Sequence, residues 1–339
     1  MPHSPMTQSR EVRLTSRPHG LPQAANFEIA TTPLPPPGEG EVQVKNLFMS
    51  VDPYMRGRMY DRPSYVPPFE IGKALQGGAV GEVCASNSAA FRPGDLVSSM
   101  LGWREAFNAP PQYLQKIDAQ GLPPQTFLGA AGMTGMTAWA GLTKIAGVKA
   151  GDTVFVSAAA GAVGQIVCQI AKLKGATVIG SAGGAEKCAW LRDLGVDQVI
   201  DYKAEPDLTA ALGRTAPKGI DVYFENVGGE HLVAALNAAR PFARFALCGM
   251  ISNYNDTEPQ PGPSNIIMAV GKRLRLQGFI VSDYFDQTDA FVSDMTAWIR
   301  AGQVKWRESI DNGIEAAPNA FLKLFTGENI GKMLVKLGD

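Results

Sequence analysis

The sequence predicts a mixed α/β fold, in which a β-rich, barrel-like part is joined to a doubly wound parallel sheet. Three observations carry that expectation. The chain has 339 residues, more than one hydrophobic core usually organises. Its first third breaks into short alternating runs separated by Gly and Pro, whereas from about Gly129 strand-like and helix-like segments take turns. Residues 153–164, TVFVSAAAGAVG, pass from four β-prone residues through small ones into a helix-periodic stretch.

Taken in order, EVQVKNLFMSV follows a proline-rich turn at 33–37 and alternates at Val42, Val44 and Phe48 as a strand does. IGKALQGGAVGEV and FRPGDLV continue with frequent turn residues, the texture of a compact barrel. Strand 153–157 then leads into a helix at 162–174, with Val163, Ile166, Val167, Ile170 and Leu173 on one apolar stripe. A strand at 176–180, a helix at 185–194, VDQVIDY, a helix near 207–213, IDVYFENV, a helix at 229–239, RFALCGM and RLRLQGFIV keep the same beat. Such sheets bind ligands beyond the carboxyl ends of their strands, so the loops after Val156, Gly180, Tyr202, Glu225 and Gly249 are expected to line one crevice. From about Gly302 the chain carries a helix at 318–326 and a last strand, KMLVKL; periodicity does not assign them to either part.

Composition narrows the partners. With 45% hydrophobic and 19% charged residues and a net charge of −1, the chain reads as an ordinary globular protein. No basic run points to nucleic acid or an anionic membrane. The N-terminal MPHSPMTQSR has no apolar signal stretch, and no run of about 18 apolar residues offers a membrane span. Cys84, Cys168, Cys188 and Cys248 form no short-spaced pair, as expected of reduced cysteines in a cytoplasmic protein. His3, His19 and His231 lie in no ligand spacing, so no catalytic zinc is expected, and His231, at a helix start, is expected at the surface. Neither Ser157 nor Ser181 stands in a G-x-S-x-G elbow, which leaves hydrolysis unsupported.

The strand–turn–helix at 153–164 reads as a dinucleotide site. Gly161 bares the backbone where a pyrophosphate approaches, Gly164 permits close packing of helix on strand, and the helix start favours negative charge. Ala159 replaces the first glycine of the usual pattern. The second strand ends in Ser181-Ala182-Gly183-Gly184, without the acid that would bind ribose hydroxyls, and Lys187 follows. That combination suits a 2′-phosphate and favours NADPH, although a solvated helix lysine explains Lys187 equally well from local sequence. Tyr54 in VDPYMR and Tyr254 in CGMISNYN are neutral hydrogen-bond donors suited to a developing oxyanion, while local sequence alone favours packing.

Seven motifs in one order, VDPYMRGRM, AAAGAVG, GGAEKCAWL, DVYFENVGGE, CGMISNYN, QGFIVSDY and ENIGKMLVK, resemble the zinc-free medium-chain dehydrogenase/reductases, specifically the prostaglandin reductase/leukotriene dehydrogenase group with plant alkenal double-bond reductases and bacterial curcumin reductases. The resemblance implies a GroES-like β-barrel catalytic domain over 1–129 and 304–339, a Rossmann NADPH-binding domain over 130–303, and a homodimer built through the Rossmann sheets. Met49 near the first zinc cysteine position, LQGG at 75–78 and the missing four-cysteine lobe depart from the zinc-dependent branch.

By the same resemblance, Gly161, Ala162, Val163 and Gly164 meet the pyrophosphate, Lys187 and Tyr202 the 2′-phosphate end, and Asn226 and Asn329 other cofactor groups. Cys248, Gly249, Ile251, Ser252 and Tyr254 line the nicotinamide side, and Phe279, Ile280 and Val281 present backbone to the carboxamide. Tyr54, Tyr254 and Tyr284 face substrate, and Arg56 meets an anionic substrate tail or forms a structural salt bridge. The implied activity is NADPH-dependent reduction of the C=C bond of α,β-unsaturated ketones and aldehydes. A quinone reductase and a nucleotide-binding protein without turnover are the rival readings.

Overall fold

The computed structural model describes residues 4–338, so His3 lies outside the described residues. The chain divides into two compact units. One comprises the chain up to Leu128 with Ser309–Asn329 and the stretch from Met333; the other comprises Gly129–Glu308 and Ile330–Lys332.

The first unit is antiparallel and β-rich. Its strands run in the order Glu308–Asn312, Lys332–Lys336, Val42–Ser50, Ala79–Ser86, Leu96–Ser99 and Gln115–Lys116, with Ala106–Ala109 also paired to Val42–Ser50. A separate antiparallel pair joins Gln8–Leu14 to Phe27–Pro33. Alternation sends Met49 and Val51 into one core with Met55, Trp103 and Phe321, and the Trp103 and Phe321 rings meet edge-on at 6.2 Å.

The second unit holds six parallel strands: β1 Thr153–Val156, β2 Thr177–Ala182, β3 Gln198–Asp201, β4 Ile220–Glu225, β5 Ala239–Leu247 and β6 Arg275–Gly278. Their spatial order is β3-β2-β1-β4-β5-β6. Helices α1 Gly164–Leu173, α2 Ala185–Asp193, α3 Leu208–Thr215 and α4 Gly229–Ala238 alternate with them. Both faces are covered, which is why the strands read as almost unbroken apolar runs. Ile166, Val167 and Ile170 of α1 pack with Val154, Val156 and Val178, while Phe155, Tyr223 and Phe245 form the opposite core with Leu212 and Leu236.

β5 starts at Ala239, five residues before the strand expected at RFALCGM. Pro241 masked its beginning, and Phe242 takes a left-handed φ of 67° where the pairing with β4 shifts register. RLRLQGFIV yields only the four-residue edge strand β6, after which Val281–Gln287 forms a 3-10 turn. No helix among the described residues is long and apolar enough to cross a membrane.

Candidate active site

Because β1 and β4 are neighbours with their following helices on opposite faces, the sheet has a switch point between them, where ligands of doubly wound sheets bind. A buried polar network centred on Glu225 lies there. Ser157 Oγ donates to Glu225 Oε1 (3.0 Å), as do Tyr223 OH (2.7 Å) and the amides of Val227 (2.7 Å) and Gly228 (2.9 Å). Asn226 donates its amide to Ser157 Oγ and its Nδ2 to Ser157 O, both at 2.8 Å. Burial pushes the Glu225 carboxyl above its ordinary range, and its Oε2 has no hydrogen-bond partner among the described residues. Sequence reasoning singled out Asn226 but not Glu225, which lies one residue earlier in the same motif.

The glycine turn divides its labour. A methyl group on Gly164 would sit 2.3 Å from Ala158 O and 2.7 Å from Ala159 Cα, so only glycine lets α1 close on the end of β1. On Gly161 the nearest contact would be Ala158 O at 3.1 Å, tight but short of a collision. Gly161, Ala162 and Val163 stay partly exposed at the start of α1, where first-turn amides lack carbonyls within the helix.

At the end of β2 the chain turns at Gly183-Gly184, and Gly184 adopts a φ of 98°. Asp201 Oδ1 accepts the amides of Gly184 (2.9 Å) and Lys203 (3.1 Å), tying this turn to the end of β3. A Cβ on Gly183 would stand 2.9 Å from the Tyr202 hydroxyl, so the Tyr202 ring lies flush against the turn. Lys187 is half-buried; burial lowers its pKa first, and the charge of Lys203 lowers it further. Two cations thus share a glycine turn; of the carboxylates beside it, Asp201 is engaged by amides, and Glu186, whose charge raises the Lys187 pKa, pairs with Arg307 at 3.7 Å. Lys203 escaped the sequence reading, although it adjoins Tyr202. His231 corrects an expectation: it is buried at 6% exposure, with Nε2 3.0 Å from Ser181 Oγ. Helical periodicity at a short apolar helix does not reveal which strand ends cover it.

After β5 the amides of Cys248 and Gly249 donate to Glu225 O (3.0 and 3.1 Å). Ile251–Asn253 forms one 3-10 turn whose Ile251 and Ser252 amides bond Asn226 O and Val227 O. The Ser252 hydroxyl also donates to Val227 O, at 2.6 Å. Tyr254 closes this turn with its hydroxyl 2.8 Å from where a Gly249 Cβ would lie. Burial, with the nearby charge of Glu225, pushes the Cys248 thiol up to about 12, so it stays a neutral thiol at pH 7. Phe279 packs edge-on to Phe224 at 6.3 Å, and Val281 and Tyr284 join Phe279 and Cys248 on one core. Ile280 leads into the 3-10 turn that carries Tyr284.

The remaining residues belong to the first unit. Tyr54 precedes the short helix Met55–Arg58; its hydroxyl is buried with no hydrogen-bond partner among the described residues, and burial, then the charge of Asp52, raises its pKa. Arg56 lies two residues on, within that short helix. It is fully buried, donates through Nη2 to Gly20 O (2.8 Å), Pro18 O (3.3 Å) and Tyr60 OH (2.8 Å), and lies 4.0 Å over the Tyr60 ring. Through these carbonyls it straps the loop at 18–20 to the short helix. Asn329 lines a polar groove with Asp311, Lys323 and Glu328. Met49 is fully buried among apolar side chains.

A parallel nucleotide sheet with this glycine turn, carried in one chain with a β-rich unit, defines the medium-chain dehydrogenase/reductases. The chain belongs to that family, in its zinc-independent group. The family model described as the N-terminal domain of oxidoreductase matches residues 10–117, and that described as zinc-binding dehydrogenase matches 162–298. The zinc in the latter description does not fit these residues, since no group of three or more His, Cys, Asp or Glu among the described residues is placed to hold a metal ion.

Among its relatives, the putative NADP-dependent oxidoreductase YfmJ of Bacillus subtilis is 46% identical, covering 98% of this chain and 99% of that one. The NADPH-dependent curcumin reductase of Escherichia coli is 42% identical, covering 98% of each. The 2-alkenal reductase (NADP(+)-dependent) of Nicotiana tabacum is 43% identical over 96% of this chain and 97% of its own. CurA from Vibrio vulnificus, solved in complex with NADPH, superposes with a TM-score of 0.93 at 42% identity, covering 97% of this chain and 99% of that one.

Proposed function

We propose that this protein is an NADPH-dependent reductase of the C=C bond of α,β-unsaturated ketones and aldehydes. The observation that carries the reading is its end-to-end likeness to the curcumin and alkenal reductases, at 42% and 43% identity. The Lys187–Lys203 turn without a ribose-binding acid agrees with the phosphate-bearing cofactor. When bound, NADPH supplies a hydride to the β-carbon of the substrate. The chain's own part is to bind and orient. Gly161–Gly164 receive the pyrophosphate at the start of α1, and Lys187 with Tyr202 take the 2′-phosphate. Asn226 and Asn329 hold further cofactor groups. Cys248, Gly249, Ile251 and Ser252 wall the nicotinamide side, while Phe279, Ile280 and Val281 turn backbone groups toward the carboxamide.

Tyr254 donates a hydrogen bond to the substrate carbonyl, where negative charge grows as the β-carbon accepts hydride; one such donor is worth about 3 kcal/mol in a transition state. Tyr54, whose hydroxyl has no acceptor of its own, gives a second donor to the substrate, and Tyr284 borders it. The protein works in the cytoplasm, consistent with four free cysteines. It works as a homodimer through the β6 edge, beside which Ile266, Ile267 and Val270 are exposed.

The test is NADPH consumption against alkenals, alkenones, a diarylheptanoid dienone and a quinone, with NADH in parallel. Saturated carbonyl products formed preferentially with NADPH are expected. Turnover with the quinone alone would replace this function with quinone reduction, and tight NADPH binding without turnover would remove the enzymatic reading.

A further inference from the structure

His231 has no place in the reading above, yet it sits behind the residues assigned to the 2′-phosphate. It projects from the first turn of α4 into a space bounded by the ends of three strands. Its Nε2 lies 3.0 Å from Ser181 Oγ of β2, and both residues are buried. Its ring is nearly parallel to Phe155 of β1, with centroids 6.5 Å apart and planes at 9°. Above it stands Tyr202, edge-on at 5.2 Å and 76°. Tyr202 is itself 39% exposed, so burial alone does not fix its ring. Its ring tip lies against the bare Cα of Gly183, and the imidazole of His231 packs against the ring. The imidazole is in turn anchored by Ser181, which leaves it little freedom to rotate.

Burial lowers the His231 pKa to about 4, so at neutral pH the ring is uncharged and adds nothing to the potential made by Lys187 and Lys203. Its contribution is one of shape.

We infer that His231 is a positioning residue for the cofactor's 2′-phosphate end: anchored on Ser181, it seats the Tyr202 ring against Gly183 and so sets the preference for NADPH over NADH. This rests on the reading that Lys187 and Tyr202 take the 2′-phosphate.

The test measures Kd for NADPH and NADH on the full chain, by fluorescence titration, with kcat and KM alongside. His231→Ala is expected to raise the NADPH Kd about tenfold. NADH Kd, enone KM and kcat at saturating NADPH should stay within about twofold. His231→Phe, which keeps a flat ring under Tyr202, should bring the NADPH Kd back to within about threefold of the wild type. His231→Leu fills the space without a flat face and gives the same reading as Ala where the Ala variant fails to fold. Equal weakening of NADPH and NADH, or no change in either, would overturn the inference. Lys187→Ala run in parallel tests the foundation. If it leaves the NADPH/NADH ratio unchanged, the phosphate site itself is misassigned; if it collapses the ratio while the His231 variants do not, only the role of His231 fails.

Discussion

The hydroxyl of Tyr54 is buried without an acceptor, an arrangement that costs about 1–3 kcal/mol unless a ligand supplies one. Removing it therefore separates stability from activity. Tyr54→Phe should melt at the same temperature as the wild type or higher, bind NADPH unchanged, and lose at least about tenfold in kcat/KM for an enone. A variant with wild-type kinetics would take Tyr54 out of the substrate contacts. Tyr254→Phe should lose about a hundredfold in kcat, with the same NADPH Kd. His231 makes a prediction of another kind. In the unfolded chain its pKa is near 6.5, and in the folded protein burial lowers it to about 4. Between those values the unfolded chain takes up the proton first, so the stabilisation is complete above about pH 6.5 and is lost as pH falls toward 4. Its size is about 3 kcal/mol. Unfolding midpoints in denaturant across pH 4–7 should show this acid slope, and His231→Phe should flatten it. A variant with the same slope would assign the acid sensitivity to other groups.

Among the elements, the β1–α1 turn makes the sharpest demand on sequence. Gly164 and Gly161 stand three residues apart in one motif, but only a Cβ at Gly164 would collide with backbone, at 2.3 Å. Gly164→Ala should lower stability by about 1–3 kcal/mol, because neither Ala158 O nor the start of α1 can give way cheaply. Gly161→Ala, which needs Ala158 O to move by only a few tenths of an ångström, should cost less than Gly164→Ala, and its larger loss should show in NADPH Kd. Chemical denaturation and cofactor titration on the pair check both; a Gly161→Ala variant destabilised as much as Gly164→Ala would place the packing constraint elsewhere in the turn. This turn was legible in the sequence because strand, glycine and helix signals are local and fall within a dozen residues. So was the apolar stripe of α1, whose Ile166, Val167 and Ile170 are fully buried. What local reading missed is set by contacts between distant elements. The burial of His231 depends on the ends of β1, β2 and β3. Arg56 is consumed by carbonyls some 36–38 residues away, a partnership that no spacing announces. The return of Ile330–Lys332 to the second unit, where Gly331 N bonds Ala160 O at 2.8 Å, has no periodic signature either.

Across the whole molecule, parallel strand direction explains why residues from Ser157 to Phe279 gather at one edge of the sheet. Each follows the carboxyl end of a strand, and six such ends in register create the crevice before any side chain is chosen. The same sheet leaves β6 as an outer strand, with no further strand paired beyond it among the described residues. An edge of this kind is a template for pairing, and single chains usually shield it with charge, proline or a covering element. Here the segment before it does the reverse: Ile267 and Val270 are 69% and 72% exposed, next to a half-exposed Ile266. An uncovered edge beside uncovered apolar side chains is what a second copy of the chain would bury, with strand pairing fixing its direction. Light scattering on the purified protein should therefore give twice the chain mass of 36.1 kDa. Ile267→Lys combined with Val270→Glu should give a monomer with the cofactor affinity intact, since neither side chain belongs to the crevice. A wild-type monomer at micromolar concentration would remove the dimer, and a doubly substituted dimer would move the interface off this edge.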